Sequence, residues 1–240
     1  FDRIIPAAQF WSLLLHPARF GHWPDRGVVV FLGGDQFWSV LLSARLGYRH
    51  ITYAEWVARW PRWNDRIAAM APEVQQQLPK RFRSRCRVVG DLMADLSSHA
   101  RASDPLPEGE WVALLPGSKP AKLSVGVPFL FETADRLRAV RPGCRFLLPV
   151  APTTSAEDLL RYLGPSNRIA DGYDASVSEV LPPGDGWPWR RLLTKAGTPI
   201  HLQEDPPAHG VLSQCSLALT TVGANTAELG ALGVPMIVLV

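Results

Sequence analysis

Short apolar runs bounded by glycine or proline recur along the chain, and the first of them predicts a buried parallel strand. Residues 28–32 are all apolar and lie between Gly27 and the two glycines at residues 33–34. A continuously apolar run of this length is typical of a central strand of a parallel sheet, because both faces of such a strand are buried. A helix-like segment at residues 37–46 and a second strand-like segment at residues 50–54 follow, so the pattern predicts a strand–helix–strand unit.

The same pattern recurs in the second half of the chain. Residues 111–115 and 144–150 are strand-like, and residues 127–140 between them carry apolar side chains at helical spacing. Weaker patterns predict three more strands and a short helix, at residues 199–202, 216–220 and 236–240 for the strands and 155–162 for the helix. Residues 168–198 are rich in glycine, proline and tryptophan, and they predict an irregular segment with a mobile inserted loop at residues 181–189.

A proline-containing segment at residues 101–109 predicts a linker between two domains. The chain has 240 residues, which is long enough for two modest domains. We therefore predict an α/β protein with two Rossmann-like domains, each built on a parallel sheet flanked by helices. The N-terminal domain would comprise residues 1–104, with a helix over residues 91–100, and the C-terminal domain would comprise residues 105–240.

Charge and cysteine content limit the classes of function that the sequence supports. The net charge is +3, and the basic residues are scattered apart from residues 80–87, whereas general nucleic-acid-binding proteins carry a stronger basic stripe. No nucleic-acid partner is therefore predicted. Cys86, Cys144 and Cys215 lie far apart and each adjoins a strand-like run, so we expect buried free thiols and a reducing compartment instead of disulfides or a zinc site.

The apolar segments are too short to span a membrane. No run of eighteen or more apolar residues occurs, and the first residues lack the charged-then-apolar layout of a secretory signal. These features predict a cytoplasmic protein. The cluster formed by Phe10, Trp11 and residues 13–15 is typical of core packing, and the alternative is a surface that makes peripheral contact with the inner membrane.

The strongest candidate for a binding motif lies near the C-terminus, where Gly223 separates a strand-like run from a helix predicted to begin at Thr226. A glycine turn that opens a helix presents unpaired N–H groups and the positive end of the helix dipole, which suits a phosphate or diphosphate. Asn225 and Thr226 can cap this helix or donate to the anion, and Glu228 can favour the dipole or accept hydrogen bonds from a sugar diol. Because a lone glycine turn occurs in many α/β proteins, a purely structural turn is the alternative.

Two further candidates follow predicted strands. The loop after residues 111–115 contains Gly117, Ser118 and Lys119, whose N–H, hydroxyl and ammonium groups can contact a phosphate. The spacing of a Walker phosphate-binding loop is absent from this segment. Asp35 follows the first strand, where open α/β sheets place their chemistry, but capping of the following helix explains an aspartate there equally well.

Several segments, taken together and in order, resemble the lipid-A-disaccharide synthase family of GT-B glycosyltransferases. Residues 114–119 (Leu-Leu-Pro-Gly-Ser-Lys) are similar to the Leu-Leu-Pro-Gly-Ser-Arg segment that opens the family's C-terminal domain, and residues 144–150 are similar to the strand that follows it. The spacing of Gly223, Glu228 and Pro235 matches the family's Ser-Gly-Thr-Ala-x-x-Glu…Pro pattern. In the first half, residues 47–60 and 89–95 are similar to two more segments of the family.

This resemblance implies two facing Rossmann-like domains with a cleft between them, the C-terminal one binding a UDP-sugar donor and the N-terminal one a lipid-linked or saccharide acceptor. It implies a metal-independent, inverting hexosyltransferase that uses no cofactor. The implied site residues are Gly117, Ser118 and Lys119 beside the nucleotide-sugar, Gly223, Ala224, Asn225 and Thr226 at the diphosphate, Glu228 at the ribose, and Asp35 as the general base.

The chain also departs from the family's pattern. Lys119 replaces an arginine, residues 222–224 (Val-Gly-Ala) replace Ser-Gly-Thr, and Asp91 replaces a histidine. Compared with the family, the chain looks short at both ends. A nucleotide-sugar-binding paralogue without turnover and a nucleotide-sugar 2-epimerase-like enzyme are therefore the alternative functions.

Overall fold

The computed structural model describes residues 3–94, 105–151, 154–184 and 186–239. Contacts divide the chain into two compact units, Phe1–Leu92 and Met93–Val240, which we call the N-terminal and C-terminal units. The predicted helix at residues 91–100 lies largely outside the described residues, and residues 91–94 are not helical. The predicted domain boundary at residues 104–105 also falls at the edge of an undescribed range, so it stays a prediction.

The N-terminal unit contains a parallel sheet of four strands. In sheet order these are β1 (Val28–Phe31), β2 (Arg49–Ala54), β3 (Arg66–Ala69) and β4 (Cys86–Val88). Its helices are α1 (Phe10–Leu15), α2 (Gln36–Leu46) and α3 (Pro72–Gln77), with short 3-10 helices at Ala7–Gln9, Pro17–Phe20 and Lys80–Arg85. The predicted strand–helix–strand unit is therefore confirmed as β1, α2 and β2.

The prediction that the first strand is central was wrong. Among the described strands, β1 pairs only with β2 and forms one edge of the sheet. Val28 and Val30 are 50% and 53% exposed, whereas Phe31 is buried. An apolar run shows that a segment is a strand, but it does not show whether both of its edges and both of its faces are covered.

The C-terminal unit contains a sheet of seven strands in the order β11-β10-β5-β6-β9-β8-β7. The strands are β5 (Glu110–Leu115), β6 (Cys144–Pro149), β7 (Val177–Leu181), β8 (Arg191–Thr194), β9 (Pro199–Gln203), β10 (Leu217–Thr221) and β11 (Met236–Leu239). The helices are α4 (Pro120–Val140), α5 (Ala156–Arg161), α6 (His209–Leu212) and α7 (Ala224–Ala231). The first five strands in sheet order are parallel, and β7 and β8 are antiparallel.

Alternate side chains of β5 fill the two faces of this sheet. Val112 and Leu114 pack in the cluster that contains the buried side of α4, and Trp111, Ala113 and Leu115 pack in the opposite cluster with residues of α6 and α7. Helices therefore cover both faces of the sheet, as a buried parallel sheet requires. The predicted fold class, α/β with parallel sheets flanked by helices, is confirmed.

Residues 168–198 are not the irregular segment that their composition predicted. They contain β7 and β8, which form an antiparallel hairpin at the edge of the sheet. The predicted inserted loop is anchored by Trp187, which is 5% exposed and stacks on Trp111 with ring centroids 5.4 Å apart. Its indole N–H donates to the Leu202 carbonyl at 2.9 Å. Tryptophan here marks a segment that is fixed to the core, because its large ring is buried and its polar atom is satisfied.

The three cysteines are free and buried, as the sequence predicted. Burial raises the pKa of the Cys215 thiol to about 12, so this group is inert as a nucleophile near neutral pH. Within the described ranges, no helix combines the length and the apolar character that crossing a membrane requires.

Candidate functional site

The two glycine turns that the sequence singled out lie at the same edge of the C-terminal sheet. Strands β5 and β10 are parallel neighbours, and Leu115 at the end of β5 pairs with Thr220, one residue before the end of β10. The loops that follow them, residues 116–119 and 222–223, therefore leave the sheet side by side. This is the carboxyl edge, where open α/β sheets bind ligands.

A cavity of about 480 Å³ opens at this edge of the sheet. Five of the predicted site residues line it, namely Gly117, Ser118, Ala224, Asn225 and Glu228. Three others, Lys119, Gly223 and Thr226, are not among its lining residues. Its volume is within the range of cavities that hold small molecules and cofactors.

The rest of the wall follows strands β6 and β9, and sequence reasoning missed it. Residues 149–151 and 205–209 contribute to the lining, together with Gln203 at the end of β9. Gln203 is 6% exposed, and its Nε2 donates to the Asp205 carbonyl at 2.8 Å. Among the described atoms, its Oε1 has no hydrogen-bond partner. The available signal was the position of these residues directly after apolar strands.

Gly117 is at a position that tolerates no side chain. Its φ is +96°, and a Cβ would lie 3.0 Å from Thr221 Oγ1 and 3.0 Å from Lys122 Cβ. Gly126, in the second turn of α4, lies against the same loop, because a Cβ there would be 2.8 Å from the Pro116 carbonyl oxygen. These two glycines let the loop, strand β10 and helix α4 approach closely.

Helix α7 begins at Ala224, two residues earlier than the sequence predicted, with Gly223 as its N-cap. No side chain of the N-cap residue bonds to its first turn, so side-chain capping does not satisfy these N–H groups. The Thr226 hydroxyl donates to the Gly223 carbonyl at 2.7 Å and thereby holds the turn. The uncapped helix start has the geometry and dipole that favour an anion.

Lys122 lies beside the two glycine turns, and the sequence analysis did not identify it; like Lys119, it is not among the lining residues of the cavity. It lies in the first turn of α4, which begins seven residues before the predicted helix start at residue 127, with Pro120 as its first residue. The half-buried Lys122 reaches the other glycine turn, where its Nζ donates to the Val222 carbonyl. Proline at the first helical position was the signal that could have located this helix start.

Asp35 lies in the N-terminal unit, on the wall of a separate cavity of about 340 Å³. Its Oδ1 accepts a hydrogen bond from the Phe37 N–H at 3.0 Å, so it caps helix α2. The capping interpretation is therefore confirmed, whereas a role as general base stays a prediction. Buried Gln36 shapes this wall by donating to the Val57 carbonyl and accepting from the Arg59 N–H, both at 2.7 Å.

The Asp35 cavity is also lined by two charged residues that the sequence analysis missed, Glu55 and Arg59. A second and more apolar cavity of about 390 Å³ shares Val57 and Arg59 with it. The second cavity is also lined by residues of α3 and of the neighbouring loops: Ala58, Trp60, Pro61, Val74, Gln77, Leu78 and Pro79. The N-terminal unit therefore offers a cavity with both charged and apolar side chains and an adjoining cavity that is more apolar.

Comparison with curated proteins supports the resemblance seen in the sequence. No protein-family model matches the chain. A lipid-A-disaccharide synthase of Pseudomonas fluorescens (strain Pf-5) is 32% identical over 140 residues, which cover 58% of this chain and 29% of that relative. The synthase of Anaeromyxobacter dehalogenans (strain 2CP-C) is 36% identical over 91 residues, covering 36% of this chain and 22% of the relative. The chain therefore spans less than a third of the length of the curated relatives that it matches.

Solved structures share the fold. The S. aureus MnaA–UDP co-structure superposes with a TM-score of 0.60 at 10% identity, covering 97% of this chain and 62% of that one. UDP-GlcNAc 2-epimerase from Neisseria meningitidis, bound to UDP-GlcNAc, gives a TM-score of 0.54 at 13% identity, covering 96% and 62%. At these identities the likeness concerns the fold alone. By sequence, then, part of this chain is similar to lipid-A-disaccharide synthases, and by fold the chain resembles the two solved structures named above.

Proposed function

We propose that the chain is part of a glycosyltransferase that moves a sugar from a UDP-sugar donor to a lipid-linked or saccharide acceptor. The observation that carries the proposal is the cavity of the C-terminal unit, where the first glycine loop, the start of α7 and Glu228 line one space at the carboxyl edge of the sheet. The names of the curated relatives support the same activity.

The donor would lie in this cavity with its diphosphate at the start of α7. The N–H groups of Ala224 and Asn225 and the Ser118 hydroxyl are the donors that a diphosphate requires. Glu228 lies one turn further along α7 and on the same cavity wall, so its carboxylate can accept hydrogen bonds from a ribose diol. Lys119, Gly223 and Thr226 are neighbours of these residues in sequence but do not line the cavity.

The reaction would be an inverting displacement at the anomeric carbon. An acceptor hydroxyl forms the new C–O bond, the bond to the diphosphate oxygen breaks, and UDP leaves with that electron pair. Asp35 would take the hydroxyl proton as the general base. The dipoles of α4 and α7 would stabilise the charge that develops on the leaving diphosphate, so the proposed mechanism needs no metal ion or cofactor.

The acceptor would bind in the N-terminal unit. The cavity beside Asp35 suits a sugar hydroxyl, and the adjoining, more apolar cavity suits an acyl chain of a lipid-linked acceptor. The same unit carries a surface of contacting rings, which comprises Phe10, Trp11, Phe37, Trp38, Trp60 and Trp63. Trp11 and Trp63 are more than half exposed, and tryptophan is enriched where proteins meet the lipid headgroups. Peripheral contact with the cytoplasmic face of the inner membrane is therefore part of the proposal.

Calorimetry with UDP and with a UDP-sugar on the wild type and on Glu228→Ala tests the donor site. We expect the wild type to bind UDP and the variant to bind it at least tenfold more weakly, because a charge-assisted hydrogen bond contributes about 1.5–3 kcal/mol. Equal affinity would remove Glu228 from the site. Interconversion of the UDP-sugar without an acceptor would favour the 2-epimerase-like alternative, and binding without any turnover would favour the paralogue that only binds.

A further inference from the structure

We propose that Lys122, and not Lys119, is the main cationic ligand of the donor's diphosphate, an inference that rests on the function proposed above. Lys119 is exposed and immediately precedes helix α4. Lys122 is half-buried and bridges the two glycine turns, because its Nζ donates to the Val222 carbonyl while its Cβ packs against Gly117. A Cβ at Gly223 would lie 2.9 Å from this ammonium, so the lysine lies directly against the turn that opens α7.

The position of Lys122 is electrostatically unfavourable without an anion. It is the third residue of α4, where the helix dipole places positive charge, and its ammonium reaches the positive end of α7 as well. Among the residues that the structure describes, no carboxylate forms an ion pair with it. Cations favour the opposite end of a helix, so a lysine between two helix starts points to a negatively charged ligand.

Polar groups near Lys122 and across the cavity remain available to such a ligand, both as donors and as acceptors. An ammonium group has three N–H donors, and the Val222 carbonyl accepts one of them. The buried Thr221 Oγ1 lies in the same crevice beside Gly117, and no described atom is its hydrogen-bond partner. At the far wall of the cavity, Gln203 is more than nine-tenths buried and its Oε1 is unpartnered within the described part of the chain. Buried polar groups of this kind normally have partners, which a bound nucleotide would supply.

Two roles of Lys122, binding the diphosphate and acting only as a structural clamp between the loops, predict different results. If Lys122 only ties the two loops together, its removal should lower the stability of the free protein and leave the preference for UDP over uridine unchanged. If it binds the diphosphate, its removal should reduce the affinity for UDP selectively, because uridine carries no phosphate. It should also make UDP binding less sensitive to salt, since one charged contact is lost.

The test is calorimetric titration of the full chain with UDP and with uridine at two salt concentrations, for the wild type and for Lys122→Met, Lys119→Met and Lys195→Met. Lys195 is an exposed lysine in the turn between β8 and β9, so its variant controls for the loss of one positive charge. We expect Lys122→Met to bind UDP at least tenfold more weakly with uridine affinity within twofold of the wild type. Lys119→Met and Lys195→Met should change UDP affinity less than threefold.

Wild-type affinity for UDP in Lys122→Met would overturn the inference and leave the proposed function standing. An equal loss for UDP and uridine, together with a lower melting temperature of the free variant, would overturn it in favour of the clamp. Failure of the wild type to bind UDP would reject the proposed function itself and the inference with it. Should Lys122→Met not fold, Lys122→Gln, which keeps a donor for the Val222 carbonyl, is held to the same criteria.

Discussion

Replacing His201 with glutamine is expected to make the C-terminal unit less sensitive to acid. His201 lies on β9 and is 7% exposed, with its ring centroid 4.9 Å from that of Trp111 and 5.2 Å from that of Trp187. Its Nδ1 is 3.1 Å from the Phe146 carbonyl oxygen. The pKa of His201 is lowered from 6.5 to about 4, mainly by burial among these rings; the hydrogen bond to Phe146 opposes this shift, and nearby arginines add to it.

The sign and size of the effect follow from proton linkage. Above pH 6.5 the histidine is neutral in both the folded and the unfolded chain, so it contributes no pH dependence. As the pH falls below 6.5, the unfolded chain binds a proton that the folded chain does not bind, and the free energy of unfolding decreases. The loss is about 1.4 kcal/mol per pH unit, or about 2 kcal/mol between pH 6.5 and 5, and it ends near pH 4 where the folded protein also titrates.

Urea titrations of the wild type and of His201→Gln between pH 7 and pH 5 measure this contribution. The carboxylates with lowered pKa values, Glu157, Asp158 and Glu204, lose their contribution only at lower pH. His50, whose pKa is also lowered by burial, affects both proteins alike. The difference in unfolding free energy between the two proteins should therefore shift in favour of the variant by about 2 kcal/mol on acidification from pH 6.5 to 5. A difference that stays constant over this range would refute the conclusion that His201 is buried and neutral in the folded protein.

Two other substitutions test the two candidate sites. Asp35→Asn should retain the cap of α2 and UDP binding but lose glycosyl transfer, whereas Asp35→Ala should in addition lower the unfolding free energy by about 1 kcal/mol; unchanged transfer rates in the asparagine variant would reject Asp35 as the base. Gly117→Ala should lower the unfolding free energy by about 1–3 kcal/mol through its positive φ and its contact with Thr221, and it should weaken UDP binding as well. Circular dichroism and calorimetry measure both effects, and an alanine variant of wild-type stability and affinity would show that the loop adapts.

Local pattern identified most strands and both glycine turns, because apolar runs and positive-φ glycines leave direct traces in the sequence. The hairpin of β7 and β8 was missed for a physical reason. It lies at a sheet edge where β7 is largely exposed, and residues 177–181 (Val-Ser-Glu-Val-Leu) mix apolar and polar side chains without a regular period, so their apolar signal is weak. The start of α4 was missed because Pro120 and Gly126 resemble helix breakers, although proline at the first position begins the helix and Gly126 permits close packing.

The candidate site was only partly predictable. Residues next to a glycine turn can be proposed from their neighbours in sequence, and five of the eight proposed in the C-terminal unit line its cavity. Lys122 and Gln203 could not be found in this way. Lys122 reaches a turn one hundred residues away, and Gln203 joins the wall only because β9 lies beside β6 in the sheet. Such relations depend on strand order, which local pattern does not specify.

The contact between Gly126 and Pro116 affects the conformational entropy that the loop loses when a ligand binds. With no side chain between them, the long helix and the loop that begins at Pro116 rest on each other's backbone atoms. The loop is thus held in place in the free protein, and ligand binding should restrict few additional backbone torsions there. The added methyl group of Gly126→Ala would push the loop away from the helix and leave it less ordered in the free protein. We therefore expect this variant to have a lower melting temperature and a less favourable entropy of ligand binding than the wild type.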